Sequence, residues 1–176
     1  EAAARSGAGL VSAATRPEHI PAILTRCPEI MACGVASGQE LEQLLSRPSV
    51  LVIGPGLGRS PWSEQMLQAA AKSGLPMVVD ADALNILAEG RVLPDAQARE
   101  NWLFTPHPGE AARLLGVTSA EINADRFASI ASIQQKFGGA VILKGAGSLV
   151  LGETGVTGIV TAGNPGMATG GMGDVL

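Results

Sequence analysis

The most informative chemistry in the sequence lies in a glycine-rich run at residues 163–174. Five glycines fall within these twelve residues, and the run ends in Asp174 at a point where a helix is expected to begin. Glycines let backbone amides approach an anion closely, and a helix N-terminus adds unpaired N–H groups. The amides could stabilise charge on a transferring phosphoryl group, while Asp174 could take a proton from an attacking hydroxyl. We therefore expect an anion hole formed by Gly170, Gly171, Met172 and Gly173.

Two features limit this interpretation of the glycine-rich run. An aspartate after a flexible loop is also a common helix N-cap, which is the structural alternative. The run is not a Walker A motif, because no Lys-Ser or Lys-Thr pair follows its glycines.

A second candidate phosphate loop spans residues 144–148. It reads Lys144-Gly145-Ala146-Gly147-Ser148 and follows an apolar strand pattern. Its amides and the Ser148 hydroxyl could hold a nucleotide phosphate, with Lys144 as a point charge. A tight hairpin turn with a solvated lysine is the alternative.

Two more loops follow predicted strands. Residues 54–58 have the pattern GxGxG, in which Pro55 lacks an amide donor and Gly56 could let a substrate lie against the backbone. In residues 105–110, His107 stands between two prolines that would fix the direction of its imidazole. Steric demands of a close turn and a merely exposed histidine are the respective alternatives.

Carboxylates follow a further strand, at residues 80–85. Asp80, Asp82 and Asn85 offer the oxygen ligands that Mg²⁺ prefers, often through water. Either aspartate could instead cap a helix. The sequence does not assign the metal ligands.

The elements that must position these loops are strands alternating with helices. Strands are predicted near 10–14, 30–33, 49–53, 76–79, 102–105 and 140–143, with a hairpin of two more at 149–151 and 156–161. Helices are predicted at 17–26, 39–45 and 60–73, and one helix from a capping box at 118–121 to residue 137. This order predicts one α/β domain over 1–176 with a mostly parallel sheet, whose carboxyl edge collects all five loops.

Composition excludes several classes of protein. With 12 Lys and Arg against 16 Asp and Glu, the net charge of −4 disfavours nucleic-acid binding. No apolar run approaches the ~18 residues of a membrane span. The two cysteines form no CxxC pair, which is consistent with a cytoplasmic protein.

Taken together, the loops resemble one enzyme family. VVDADALNIL at 78–87, TPHPGEAARLLG at 105–116, LKGAGSLV at 143–150 and NPGMATGGMGDVL at 164–176 are similar to ADP/ATP-dependent NAD(P)H-hydrate dehydratases, and GAGLVSAATR and IGPGLG fit them too. The resemblance implies a ribokinase-like three-layer αβα sandwich. It also implies that the domain is truncated at both ends, lacking an N-terminal strand region and C-terminal helices, and that the isolated segment is weakly active or inactive.

The family's activity is implied in the same way. It is ADP-dependent dehydration of (S)-NADHX and (S)-NADPHX to NADH and NADPH, with release of AMP and phosphate. Mg²⁺ would assist, ADP would be the phosphoryl donor and ATP a possible one. The substrate would contact Gly56, His107 and Asp174, with Asp174 as the catalytic base. The AMP moiety would contact Lys144, Gly145, Ala146, Gly147, Ser148 and Gly173.

The resemblance further implies a fused epimerase domain in the parent chain, a cytoplasmic location and a possible homo-oligomer. Two other functions stay open at this point. One is a small-molecule kinase of the same superfamily, of the thiazole or pyrimidine type. The other is a nucleotide-binding domain without catalysis.

Overall fold

The computed structural model describes residues 1–93, 99–164 and 166. The helices are α1 Ala2–Arg5, α2 Ile20–Arg26, α3 Gly38–Leu44, α4 Pro61–Lys72, α5 Ala81–Ala88, α6 Pro108–Leu115, α7 Ser119–Ala124 and α8 Arg126–Phe137, with a 3-10 turn at Pro17–His19. The strands are β1 Ser12–Thr15, β2 Met31–Gly34, β3 Leu51–Ile53, β4 Met77–Val79, β5 Trp102–Phe104, β6 Ala140–Leu143, β7 Ser148–Leu151 and β8 Thr157–Val160.

The main sheet has six strands in the order β3-β4-β5-β6-β7-β8. The first four are parallel, and β7 and β8 continue the sheet as an antiparallel hairpin. The α/β class, the mostly parallel sheet and the hairpin at its edge are thus confirmed. Parallel neighbours joined by helices bring the carboxyl ends of β3 to β6 to one edge.

One part of the sheet prediction needs correction. Strands β1 and β2 pair in parallel with each other but form a separate two-stranded sheet. Within the described residues, β3 therefore ends the main sheet, and its Val52 is 66% exposed. Strand patterns in a sequence identify strands but not which of them share hydrogen bonds.

The core lies between the main sheet and its helices. Phe104 on β5 is fully buried and packs between Trp102 and Phe137, with ring centroids 5.8 Å apart in both pairs. Val79 and Val141, on the two flanking strands, are equally inaccessible. Along β4, β5 and β6 every second residue is buried and the residues between them are half-buried, which is consistent with the apolar runs of these segments.

The single helix predicted from residue 118 to 137 is wrong, because the chain forms two helices there. The Thr118 capping box opens α7 as predicted, but α7 ends at Ala124. Asp125 has φ −144° and ψ 88°, and its carboxylate accepts a hydrogen bond from the Ala128 amide, which starts α8. Phe127, in the first turn of α8, is 52% exposed. Aspartate competes for backbone amides, which favours caps over helix interiors.

Candidate functional site

The loops that follow strands β3 to β6 meet at one edge of the sheet. The Asp82 carboxylate accepts a hydrogen bond from the Gly58 amide at 2.9 Å. The Lys144 amide donates to the Pro106 carbonyl at 2.9 Å, and the Lys144 ammonium lies 2.7 Å from Asp80 Oδ1. Hydrogen bonds therefore join the loop after β3 to that after β4, and the loop after β6 to those after β4 and β5.

The glycines of the first loop differ sharply in their surroundings. Gly54 has φ +129°, and a Cβ there would lie 1.7 Å from the Asp80 carbonyl oxygen. Gly56 has φ +65°, and a Cβ there would meet no atom within 4 Å. A close approach of backbone to backbone therefore requires glycine at position 54. Gly56 instead faces open space where a ligand could approach the backbone.

Lys144 is not the solvated lysine of the hairpin alternative. Its side chain is 17% exposed and that of Asp80 only 8%. Asp80 precedes α5 but makes no side-chain cap hydrogen bond. Because Asp80 balances its charge, Lys144 adds little net positive charge to this edge.

The turn at 144–148 is folded on itself. The Ser148 hydroxyl accepts from the Gly145 amide at 3.2 Å and donates to the Gly145 carbonyl at 3.1 Å. Among the described residues, no group accepts a hydrogen bond from the amide of Ala146 or from that of Gly147. Gly145 and Gly147 have φ +151° and +67°, a backbone that favours glycine. Two amides without an acceptor in one turn are groups that could bind an anion such as a phosphate oxygen.

Arg126, at the start of α8, forms hydrogen bonds with the backbone of this turn. Its guanidinium donates to the carbonyls of Leu143 at 3.1 Å and Ala146 at 2.8 Å. The sequence analysis missed this residue. The contact crosses 20 residues to Ala146, and no local motif marks it.

His107 is the N-cap of α6. Its Nδ1 accepts from the Gly109 amide at 2.9 Å and, more weakly, from the Glu110 amide at 3.4 Å. Glu110, with a side chain only 6% exposed, returns the contact by accepting from the His107 amide at 2.8 Å. A ring nitrogen that accepts carries no proton, so the neutral ring bears its proton on Nε2. That Nε2 lies 3.4 Å from Glu110 Oε1 on a ring that is 51% exposed.

An ion-paired cluster supports the loop at 54–60. Arg59 donates to Glu89, which follows α5, and Arg91 bridges Glu89 and Glu64. The hydrogen bond from Arg59 is the main cause that lowers the pKa of the Glu89 carboxyl. The cluster ties the loop after β3 to the helix after β4 by charge as well as by backbone contacts.

The described residues do not complete a metal site. No group of three His, Cys, Asp or Glu side chains that could hold a metal ion occurs among them. Asp80 is paired with Lys144 through Oδ1, and Asp82 accepts from the Gly58 amide through Oδ2, so each contact uses one of the two carboxylate oxygens.

The remaining predicted site residues lie outside the described part of the chain. They are Gly170, Gly171, Met172, Gly173 and Asp174. Their roles as anion hole, nucleotide contact and catalytic base stay predictions.

The fold is that of the ribokinase-like proteins. A ribokinase-like superfamily protein of Enterococcus faecalis is 29% identical and superposes with a TM-score of 0.86 over 99% of this chain and 60% of that one. An ADP/ATP-dependent NAD(P)H-hydrate dehydratase of Bacillus subtilis, co-crystallised with ATP and Mg²⁺, shares the fold at 24% identity, a TM-score of 0.78, and 99% and 61% coverage.

Within this class the chain belongs to the NAD(P)H-hydrate dehydratase family, whose model matches residues 1–176. The bifunctional NAD(P)H-hydrate repair enzyme of Coxiella burnetii is 51% identical over 176 residues, which are 100% of this chain and 35% of that protein. The ADP-dependent (S)-NAD(P)H-hydrate dehydratase of Neisseria meningitidis is 40% identical over 97% of this chain and 57% of its own length. The chain thus spans about a third to just over half of these curated relatives.

Proposed function

We propose that this chain carries the ADP-dependent dehydration of (S)-NADHX and (S)-NADPHX to NADH and NADPH, with release of AMP and phosphate. Its membership in the dehydratase family over all 176 residues carries the proposal. The joined loops support it, because Gly56, His107 and the 144–148 turn follow strands of one sheet whose carboxyl ends lie together.

The proposed reaction has two steps. The hydroxyl on the hydrated nicotinamide ring attacks the terminal phosphorus of ADP while Asp174 takes its proton, and the bond from that phosphorus to the AMP oxygen breaks. The ring nitrogen lone pair then expels the new phosphate ester by breaking the ring C–O bond, and loss of a proton from the adjacent ring carbon restores the reduced nicotinamide. Phosphorylation helps because hydroxide is a poor leaving group and phosphate a good one.

The binding roles are proposed from the family motifs, and the geometry of the described residues supports them. We propose that AMP lies against Lys144, Gly145, Ala146, Gly147, Ser148 and Gly173, with the free amides of the turn on phosphate oxygen. His107 would donate from Nε2 to the hydrated substrate, since its Nδ1 is engaged by the helix. Gly56 would let that substrate approach the backbone.

Mg²⁺ would neutralise the phosphate charge when bound with the nucleotide. The Bacillus subtilis relative crystallised with ATP and Mg²⁺ supports this cofactor. The described residues do not fit a complete site, so no step above depends on the ion.

Assembly and location are proposed from the relatives. Several of them are bifunctional repair enzymes, and we propose a fused epimerase domain in the full-length protein. A cytoplasmic location and a homo-oligomer complete the proposal. Among the described residues, no helix is long and apolar enough to cross a membrane.

The test supplies hydrated NADH to the full-length protein with Mg²⁺ and either ADP or ATP. The return of reduced-nicotinamide absorbance with ADP confirms the reaction and its donor. If the absorbance returns with ATP alone, the dehydration is confirmed but ADP is not the phosphoryl donor. No return from a folded protein that binds nucleotide overturns the proposal, and a superfamily kinase acting on an alcohol becomes the better reading.

The catalytic base is tested by D174N. We expect its turnover to fall at least about 100-fold, while ADP binding stays within a few-fold of the unmodified protein. E153Q, an exposed charge removal in the β7–β8 turn, is the matched control. Unchanged turnover in D174N would remove Asp174 from the mechanism.

A further inference from the structure

The side chain of Arg126 contacts the turn at 144–148, called the nucleotide loop from here on. It bonds to backbone carbonyls at this loop and not to side chains. The guanidinium donates to the Leu143 and Ala146 carbonyls, which lie on either side of the Gly145 turn. A Cβ at Gly145 would lie 3.1 Å from an Arg126 nitrogen, so the loop backbone rests directly on the guanidinium. Holding these two carbonyls toward α8 fixes the orientation of the peptide groups between them.

Within the described part of the chain, no carboxylate balances the charge on Arg126. Among the residues that the structure describes, seven ion pairs occur, and none includes Arg126. The Nε of Arg126 is buried, and none of the residues that the structure describes forms a hydrogen bond with it. A half-buried guanidinium that has only carbonyl partners keeps its full positive charge and favours an anion nearby.

Lys144, the cation that the loop sequence itself contains, is in the opposite situation. Its ammonium is 2.7 Å from the buried Asp80 carboxylate. The positive field at the turn therefore comes from α8 and not from the lysine of the loop.

We infer that Arg126 is the positioning residue of the nucleotide loop and its source of uncompensated positive charge. It fixes the backbone so that the amides of Ala146 and Gly147 are free for phosphate, and it lowers the cost of bringing a phosphate there. This inference rests on the proposed nucleotide-binding function, which by itself assigns no role to Arg126.

The test measures the affinities of adenosine, AMP and ADP for the full-length protein and its R126Q and R126K variants. We expect R126Q to weaken ADP binding about 10- to 100-fold and adenosine binding less than about 3-fold, because the charge acts on phosphate. R126K keeps the charge but not the planar fork, so its ADP affinity should fall between those of R126Q and the unmodified protein.

K136Q is the matched control. Lys136 lies on the same helix and donates to the Leu114 carbonyl, away from the loop. We expect K136Q to keep its affinities for adenosine, AMP and ADP within about 2-fold of the unmodified protein. Lys136 makes the same kind of contact as Arg126, but at a distant carbonyl.

Each outcome decides between the alternatives. Equal losses for adenosine and ADP in R126Q, or no loss for ADP, overturn the inference while leaving the proposed function intact. If R126Q does not fold, R126K decides, because the inference requires a loss for ADP without one for adenosine. An unmodified protein that binds neither AMP nor ADP overturns the proposed function and this inference with it.

Discussion

The imidazole of His107 accepts hydrogen bonds at Nδ1, while its Nε2 lies 3.4 Å from Glu110 Oε1 on a half-exposed ring. Nδ1 caps α6, which leaves Nε2–H as the donor that the half-exposed ring can offer to a ligand. The ring is therefore suited to donate a hydrogen bond rather than to accept a proton at Nδ1. The contact is reciprocal, because the Glu110 carboxylate accepts a hydrogen bond from the His107 amide.

Substitution of His107 separates its two roles. H107A loses the side-chain cap, and we expect the free energy of unfolding to fall by about 1 kcal/mol in urea titrations. H107N retains a capping side chain and should stay within a few tenths of a kcal/mol, approximately, of the unmodified protein. Both variants should raise KM for the hydrated dinucleotide. A KM unchanged in both would remove His107 from the substrate site.

The two glycines at 54 and 56 predict opposite consequences of adding a methyl group. G54A places Cβ against the Asp80 carbonyl, and we expect a loss of stability greater than about 3 kcal/mol or no folded protein. G56A meets open space and should cost about 1 to 2 kcal/mol for its left-handed backbone. Thermal and urea unfolding of both variants measure the difference. Equal destabilisation would contradict the close approach at Gly54.

At the scale of the element, α7 depends on its capping box. Glu121 accepts from the Thr118 amide at 2.8 Å and from its hydroxyl at 2.7 Å. The backbone hydrogen bond, followed by the hydroxyl, lowers the pKa of the Glu121 carboxyl. A carboxyl with a lower pKa when folded stabilises the fold above its unfolded pKa, and this is lost as the pH falls through its folded pKa.

The corresponding prediction concerns acid unfolding. E121Q should be less stable than the unmodified protein at neutral pH, and the two should converge as the pH falls below the ordinary range of a glutamate pKa. Urea titrations at several pH values measure this convergence, with E153Q as the charge-removal control. A stability difference that does not change with pH would show that the carboxylate charge is not what stabilises α7.

At the scale of the whole molecule, the side chains of Trp62 and Arg16 join the small sheet to the rest. Trp62 on α4 donates from its indole nitrogen to the Val35 carbonyl at 3.0 Å, just after β2. The guanidinium of Arg16, which follows β1, lies 4.6 Å from the Trp62 ring centroid and donates to Ser60. In the part of the chain that the structure describes, no strand of one sheet pairs with a strand of the other, so side chains such as these position one sheet against the other.

Weakening this contact should release the small sheet selectively. W62F keeps most of the ring but loses the indole donor. We expect the amides of β1 and β2 to exchange with solvent faster while those of β4 and β5 keep their protection, because parts of a protein can open independently. Hydrogen exchange resolved by segment measures this. A uniform change across all four strands would contradict a local role for Trp62.

Much of the architecture could be predicted because it depends on neighbours in sequence. The individual strands, the β7–β8 hairpin and the Thr118 capping box rest on residues only a few positions apart. Two expectations were wrong for the same kind of reason. The pattern from 118 to 137 predicted one helix, because hydrophobic spacing does not reveal that Asp125 caps a new one. The strand patterns likewise gave no sign that β1 and β2 form their own sheet.

The sequence by itself determined the α/β class and the parallel strands, and it predicted which of the loops after them carry chemistry. Glycine, proline and cap residues act within one turn of the chain, so their effects can be predicted from the residues next to them. The tertiary structure alone decided how charge is distributed at the site. Lys144 meets Asp80 across 64 residues, and Arg126 meets Ala146 across 20. Ion pairs depend on distance in space, and only the packed strands and helices set that distance.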